Sequence, residues 1–131
     1  MPEFGRNRPL LRRRFQDAVN AERARRLAHG VVVAVTGHGP VALQGRLEDQ
    51  MTLTGIKDAA LLRAQAGDLT TLTRFRDRDN TDHNLAPMQV IEMWQLGAGW
   101  ASAVYAASWE IKDMDPPPED FTDDSLWPPL S

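Results

Sequence analysis

Cysteine is missing from this chain of 131 residues, so disulfide bonds, thiol nucleophiles and thiolate metal sites are excluded. Long apolar runs are missing as well, since no stretch of about 18 apolar residues exists to span a membrane. The first residues carry charge and lack the apolar centre of a secretory signal. These absences predict a protein that is made in a cytosol and contacts no membrane. The length of 131 residues predicts one domain with a modest core.

Recognisable catalytic and metal-binding motifs are also missing. The three histidines, none of them spaced as a metal-binding pair, are His29, His38 and His83. The acidic stretch 77–83 differs from a calcium loop, which needs Gly and Glu where this chain has Asp82 and Met88. We therefore expect a plain hairpin turn there, and no enzyme activity, catalytic residues, metal or cofactor. A zinc or general-base role would require the fold to bring the histidines next to acids.

Charge is divided unevenly along the chain, whose net charge is −3. Residues 1–30 contain eight arginines against three acids, whereas residues 113–131 contain six acids and no basic residue. The triplet Arg12, Arg13 and Arg14 could bind phosphate, but the chain as a whole is acidic, with a pI near 5.5, which argues against a nucleic-acid partner. Opposite charges at the two ends instead favour contact between neighbouring copies.

Three segments, 9–28, 47–66 and 87–113, have the apolar periodicity of helices. The third carries most of the tryptophans and one main apolar stripe, which contains Met93, Leu96, Trp100, Val104, Ala107 and Ile111. The second is apolar on two sides, which predicts that it lies between the sheet and either the last helix or a partner. One of its rows is Met51, Gly55, Ala59, Leu62 and Ala66, and the other is Leu53, Ile56, Ala60 and Ala64.

Four further segments predict strands that pair as two hairpins, because they are rich in β-branched residues or bounded by turn residues. They are Val31–Val35, Val41–Gln44, Leu69–Arg76 and Thr81–Leu85. The expected fold is α+β, with a small four-stranded antiparallel sheet covered by the helices near 47–66 and 87–113. Residues 1–30 form a basic arm and helix, residues 31–114 the core domain, and residues 115–131 an extended, acidic, proline-rich tail.

Large apolar side chains outside the main stripe indicate binding surfaces. Trp94 flanks the stripe and Trp109 lies nearer the polar side, so we expect one of them in the contact of a homo-oligomer or a permanent complex. Phe121 and Trp127 are expected to anchor the tail in a groove of its own chain or of a neighbour, with Trp127 buried. At least one arginine between Arg6 and Arg14, a range that includes the triplet, should then lie near a tail carboxylate.

The order and spacing of several segments resemble those of a known family. The segments are AERARRLA at 21–28, VTGHGPV at 35–41, LQGRLEDQM at 43–51, TRFRDRDN at 73–80, the tryptophan-rich helix and the tail from 118 to 128. Together they are similar to a short domain of unknown function found in tailed-bacteriophage tail proteins, near or fused to tail-fibre and tail-fibre-assembly proteins. The resemblance extends over about residues 15–128, and it carries over no catalytic residue.

The resemblance implies a structural protein of the virion tail, made in the host cytoplasm. Its expected place is the tail tip, the baseplate or the fibre attachment region, and its expected partners are other tail proteins such as fibre, baseplate or hub components. Two alternatives stay open. One is a tail-fibre assembly chaperone that is not retained in the particle, and the other is a small tail-associated glycan hydrolase, which would need two carboxylates facing one cleft.

Overall fold

The computed structural model describes the backbone of residues 2–130 and the side chains of residues 8–130. The helices are α1 (Pro2–His29), α2 (Leu47–Gln65) and α3 (Pro87–Asp113). The strands are β1 (Val31–Val35), β2 (Gly39–Leu43), β3 (Thr73–Arg76) and β4 (Asp82–Leu85). The predicted α+β class is therefore confirmed. No helix in this described part of the chain has the length and apolar character needed to cross a membrane.

The four strands form two separate antiparallel pairs, so the single four-stranded sheet that the sequence predicted is wrong. Val33 lies opposite Val41 in the first hairpin, and Phe75 lies opposite His83 in the second. The second hairpin reaches β2 through its turn rather than through a strand, since the Arg78 amide donates to the carbonyl oxygen of Ala42 at 3.0 Å. β3 is also shorter than predicted, because residues 69–72 connect α2 to it without strand structure.

α3 lies at the centre of the fold, and both α2 and α1 pack against it. Both neighbours run antiparallel to α3. Its buried face contains Val90, Met93, Ala101, Val104, Ser108 and Ile111, at spacings of three, four and eight residues. Leu96, which the sequence placed on this face, is 40% exposed. Gly97 lies there instead, and a Cβ on it would stand 3.0 Å from the Leu43 side chain, so the small residue permits close packing.

Two clusters of buried apolar side chains share α3. The first joins both hairpins and the buried row of α2 to the N-terminal half of α3, around Val41, Leu53 and Met93. The second joins α1 and the tail to the C-terminal half, around Val19, Val104 and Trp127. The tail therefore contributes to the core, and it helps to hold α1 and α3 together.

α1 begins at Pro2 rather than at Pro9, so the predicted start of this helix is wrong and Pro9 lies inside it. Pro at an interior position removes one backbone hydrogen bond and is normally avoided. The end of α1 is as predicted: Gly30 adopts a φ of +86° and its amide donates to the carbonyl oxygen of Arg26 at 3.0 Å. This left-handed residue turns the chain directly into β1.

The tail is not extended throughout its length, because a single 3₁₀ turn covers Asp124–Leu126. The side chain of Asp123 caps this turn by accepting from the amide of Ser125 at 2.9 Å. Backbone hydrogen bonding of this kind lowers the pKa of the Asp123 carboxyl. The turn sets the direction of the following residue, Trp127, toward α1.

Candidate functional site

The outer face of α2 is an uncovered apolar row, here called the α2 face and defined as Leu47, Met51, Gly55, Ala59, Leu62 and Ala66. Leu47, Met51 and Leu62 are 74%, 66% and 69% exposed. The second predicted row packs inward, with Leu53 and Ala60 buried. The sequence therefore predicted the two apolar sides correctly, and only one side of α2 is covered by the part of the chain that the structure describes.

The two tryptophans proposed as contact residues differ in exposure. Trp109 is 55% exposed, and its ring lies 6.1 Å from that of Tyr105. Trp94 is half-buried against the first cluster, and the Nζ of Lys57 lies 4.2 Å from the centre of its ring. A cation over the face of an indole is stabilising, so Lys57 covers part of the Trp94 ring. Trp109 is the more accessible of the two.

A cleft of about 330 Å³ opens between the first hairpin, α2 and α3. Its walls include Leu53, Trp94, Trp100 and Tyr105, and they are mainly apolar. The indole Nε1 of Trp100 donates to the carbonyl oxygen of Pro129 at 3.3 Å, so the end of the tail borders this cleft. A cleft of this size and lining can accept an apolar side chain or a small ring.

The tail lies along a groove of its own chain, formed by α1 and α3. Trp127 is 5% exposed, as predicted, and its Nε1 donates to the carbonyl oxygen of Phe121 at 2.8 Å. The ring of Phe121 meets that of Phe15 edge to face, with centres 5.9 Å apart. Because Trp127 is covered by its own chain, its indole anchors the tail and is not offered to a partner.

Arg26 provides the charged contact to the tail. It is 1% exposed, and its guanidinium lies 5.0 Å from the centre of the Trp127 ring. Nη2 donates to Asp124 at 2.8 Å and to the carbonyl oxygen of Thr122 at 2.7 Å, while Nε donates to Glu22 at 2.7 Å. Hydrogen bonds from Arg25 and then from Arg26 hold the pKa of Glu22 below its ordinary value although burial opposes this.

The arginine triplet contacts the tail differently from the prediction. Arg12 donates to the carbonyl oxygens of Lys112 and Met114, at the C-terminal end of α3, where a cation complements the helix dipole. Arg13 and Arg14 are exposed. Among the described side chains, no arginine from Arg8 to Arg14 forms an ion pair with a tail carboxylate; Arg26 does so instead. The side chain of Arg6 lies outside the described residues.

The fold brings two of the histidines together with an acid, which sequence spacing did not predict. The Nε2 of His83 lies 2.8 Å from Asp77 Oδ2, and its Nδ1 lies 2.7 Å from the Nε2 of His38. A neutral His83 that donates to Asp77 therefore accepts from His38. Asp77 also accepts the amides of Asp79 and Thr81 at 2.8 and 3.1 Å. Asp77 and His83 lie on either side of one turn, so the sequence could have indicated their contact. No pattern in the sequence indicated that His38 would join them.

This network ties the turns of the two hairpins together, while His29 is exposed at the end of α1 and takes no part. Among the side chains that the structure describes, those of residues 8–130, no group of three or more His, Asp or Glu residues has the arrangement of a metal site. Burial by itself would raise the pKa of the Asp77 carboxyl, but the hydrogen bonds from His83 and the backbone amides outweigh it, so that the pKa is lowered. The arrangement stabilises an ionised Asp77.

We predict that Asp77→Asn weakens the protein in a pH-dependent way. A carboxyl whose pKa is lower in the folded state adds stability above its unfolded pKa, and this stability is lost as pH falls through the folded pKa. The variant should lose about 1–3 kcal/mol of unfolding free energy near pH 7, and the gap from the parent should shrink below about pH 4. Urea unfolding at several pH values measures this. Asp79→Asn, at an exposed acid in the same turn, is the control. An equal gap at neutral and acid pH would show that Asp77 does not act through its charge.

Comparison with known proteins places the chain in one family. The family model described as "Domain of unknown function (DUF4376)" matches residues 11–125, from α1 to the 3₁₀ turn in the tail. No curated protein and no solved structure matches the chain significantly. The family match covers the first apolar cluster, the network around Asp77 and the α2 face, and it covers the second cluster except for Leu126 and Trp127. The chain therefore belongs to the family described as Domain of unknown function (DUF4376).

Proposed function

We propose that this protein is a structural and interaction protein of a tailed-bacteriophage tail, at the tail tip, baseplate or fibre attachment region. In this proposal it acts by binding another tail protein, and it carries out no catalysis. The observation that carries the proposal is the α2 face, with Leu47, Met51 and Leu62 each more than 60% exposed. The setting in a phage tail is supported by the sequence resemblance described above.

The α2 face has the residue pattern of a helix surface that packs against another protein element. Its large residues stand at positions 47, 51 and 62, with Gly55, Ala59 and Ala66 completing a row at spacings of three and four. Single exposed apolar residues are ordinary, but a continuous row along a helix of 19 residues is not. Each large side chain that becomes fully buried contributes about 1.5–3 kcal/mol, so three of them can drive binding to an apolar groove.

The first experiment is to purify particles of a phage that encodes this protein and to quantify it by mass spectrometry. The proposal predicts a fixed copy number relative to the other tail proteins in every preparation. If tails form normally without the protein, or if its amount varies freely between preparations, the proposal is wrong. If the protein is absent from particles but tails lack fibres when its gene is removed, the assembly-chaperone alternative replaces it.

A charge on the α2 face should prevent incorporation. We predict that Leu62→Glu lowers the copy number in particles at least about tenfold, because a buried unpaired carboxylate is strongly unfavourable in an apolar contact. Folding should change by less than about 0.5 kcal/mol, since Leu62 is largely exposed. The same quantification of purified particles measures the effect.

Met88→Glu is the matched control, because Met88 is 55% exposed and lies on the first turn of α3, outside the α2 face. It introduces the same charge at another exposed apolar side chain. Incorporation of this variant at the parent level, together with loss of Leu62→Glu, supports the proposal. If both variants are incorporated equally, the α2 face is not the surface that binds another tail protein.

A further inference from the structure

The N-terminal part of α1 continues past the end of α3. Arg12 contacts the carbonyl oxygens of Lys112 and Met114, and Arg23 contacts Ser108, so the two helices are antiparallel and α3 ends at the level of Arg12. Residues 2–11 are therefore a helical arm about 15 Å long, at a rise of about 1.5 Å per residue. The described side chains of this arm, Arg8, Pro9, Leu10 and Leu11, are all exposed.

This arm is poorly suited to stay helical by itself. Its sequence contains Gly5, Asn7 and Pro9, which disfavour an α-helix relative to alanine, Pro9 by about 3 kcal/mol in a helix interior. A helical segment of about ten residues without tertiary contacts is marginal in water. Leu10 and Leu11 are 49% and 54% exposed, so the chain's own core does not hold them.

The acidic segment, residues 113–124, begins at the same end of the molecule, where Met114 accepts a hydrogen bond from Arg12, and it runs along α1 to Asp124 beside Arg26. It contains six acids and no basic residue, and all six are exposed. The arm and the triplet carry five arginines against one acid, Glu3. Among side chains 8–130, Arg8, Arg13 and Arg14 form no ion pair, and the segment's only ion pair is that of Asp124 with Arg26. The two complementary surfaces are adjacent in one molecule, where Arg12 donates to a backbone carbonyl of the segment, but their described side chains form no ion pair with each other.

We propose that the arm and triplet of one copy dock on the acidic segment of a second copy, forming a two-fold symmetric dimer. A two-fold axis near this end brings each arm onto the partner's acidic segment, so both charge contacts form at once and the interface closes. Leu10 and Leu11 are the apolar anchors, and Arg13 and Arg14 pair with carboxylates such as Asp115 and Glu119. The net charge of −3 favours this partner over a nucleic acid. The proposal goes beyond the tail function and uses a surface other than the α2 face.

The test is a charge exchange followed by sedimentation equilibrium of the full chain. The parent should be a dimer whose dissociation constant rises when salt increases from about 0.05 M to about 1 M. The double variant Arg13→Glu, Arg14→Glu and the double variant Asp115→Lys, Glu119→Lys should each raise that constant on the order of tenfold or more. An equimolar mixture of the two variants should dimerise again, because each arm then faces a segment of opposite charge.

Two control variants test whether the effect is specific to the proposed dimer contact. Arg74→Glu, at an exposed arginine of β3, and Leu62→Glu, on the α2 face, should both leave the dimer unchanged. Circular dichroism should show the parental fold in every variant, since all the changes are at exposed positions. A parent that stays monomeric at tens of micromolar, or a mixture that fails to dimerise, overturns the proposal. Tight binding of single-stranded oligonucleotide by the monomer, lost in the arginine variant, would identify the arm as a polyanion site instead.

Discussion

Gly30→Ala is expected to destabilise the protein by more than about 4 kcal/mol, a size that is exceptional for a single substitution. A Cβ on Gly30 would stand 1.7 Å from the carbonyl oxygen of Leu43, which is backbone and cannot rotate away. The collision would separate the end of α1 from the end of β2, where the amide of Gly45 donates to the carbonyl oxygen of Leu27 at 2.7 Å. Urea unfolding followed by circular dichroism measures the loss.

Gly67→Ala is the matched control for this prediction. Gly67 has a φ of +85°, almost the same as the +86° of Gly30, but a methyl group on its Cα would meet no atom within 4 Å beyond its chain neighbours. Both variants carry the same left-handed strain, about 1–2 kcal/mol, and only Gly30→Ala adds the collision. Equal destabilisation of the two variants would mean that the close approach of Gly30 to β2 does not exist in solution.

Trp127→Ala is expected to cost about 3–5 kcal/mol, the usual range for truncating a buried aromatic side chain. The change removes the ring over which Arg26 lies and leaves that buried guanidinium without its apolar cover. The change also removes the hydrogen bond from the Trp127 indole to the carbonyl oxygen of Phe121. We therefore expect the segment 115–130 to become accessible to proteases. Thermal unfolding and limited proteolysis, followed by mass spectrometry of the fragments, measure the two effects.

Trp109→Ala serves as the comparison, because it removes an indole that is 55% exposed, against 5% for Trp127. Its cost should stay below about 1 kcal/mol, since little apolar surface leaves a buried environment. If both tryptophan variants unfold at the same temperature, or if the tail of Trp127→Ala resists proteolysis like the parent, the tail does not contribute to the core as described.

Much of the local structure could be predicted because it depends on neighbours along the chain. The periodicity of 47–66 and 87–113 located α2 and α3 to within one residue, and the turn residues around Gly37 located the first hairpin. The apolar pattern also separated the two sides of α2, because a helix with two apolar rows needs two surfaces. The inward row packs against α3 beside Gly97, whose small size allows Leu43 and Leu53 to approach that helix.

The features that the sequence did not reveal depend on residues far apart in the chain. Arg26 meets Asp124 and His38 meets His83 only after the helices and hairpins are placed, and no short-range spacing encodes these pairs. The separation of the strands into two sheets has the same origin, since Asp77 and Arg78 take the edge of β2 that a strand would need. Pro9 misled the prediction of α1 because a proline is more common at the first turn of a helix than inside it.

Unlike these features, the α2 face can be recognised both in the sequence and in the folded structure. Its residues form a row in the sequence, and the same row remains uncovered once the chain has folded. Its small members, Gly55 and Ala59, lie between the large ones, so a partner helix or strand can approach α2 closely at its middle. The central proposal is that a partner protein in a phage tail covers this face.

Cysteine labelling tests that claim most directly, because the parent chain contains no cysteine and a single introduced thiol gives an unambiguous signal. Met51→Cys places a thiol on the α2 face, and Ala106→Cys places one at an exposed position of α3. Both should react with a maleimide in the purified protein. In assembled particles, the account predicts that the thiol at position 51 is protected while the thiol at position 106 still reacts. Equal reactivity of position 51 in the free protein and in particles would contradict it.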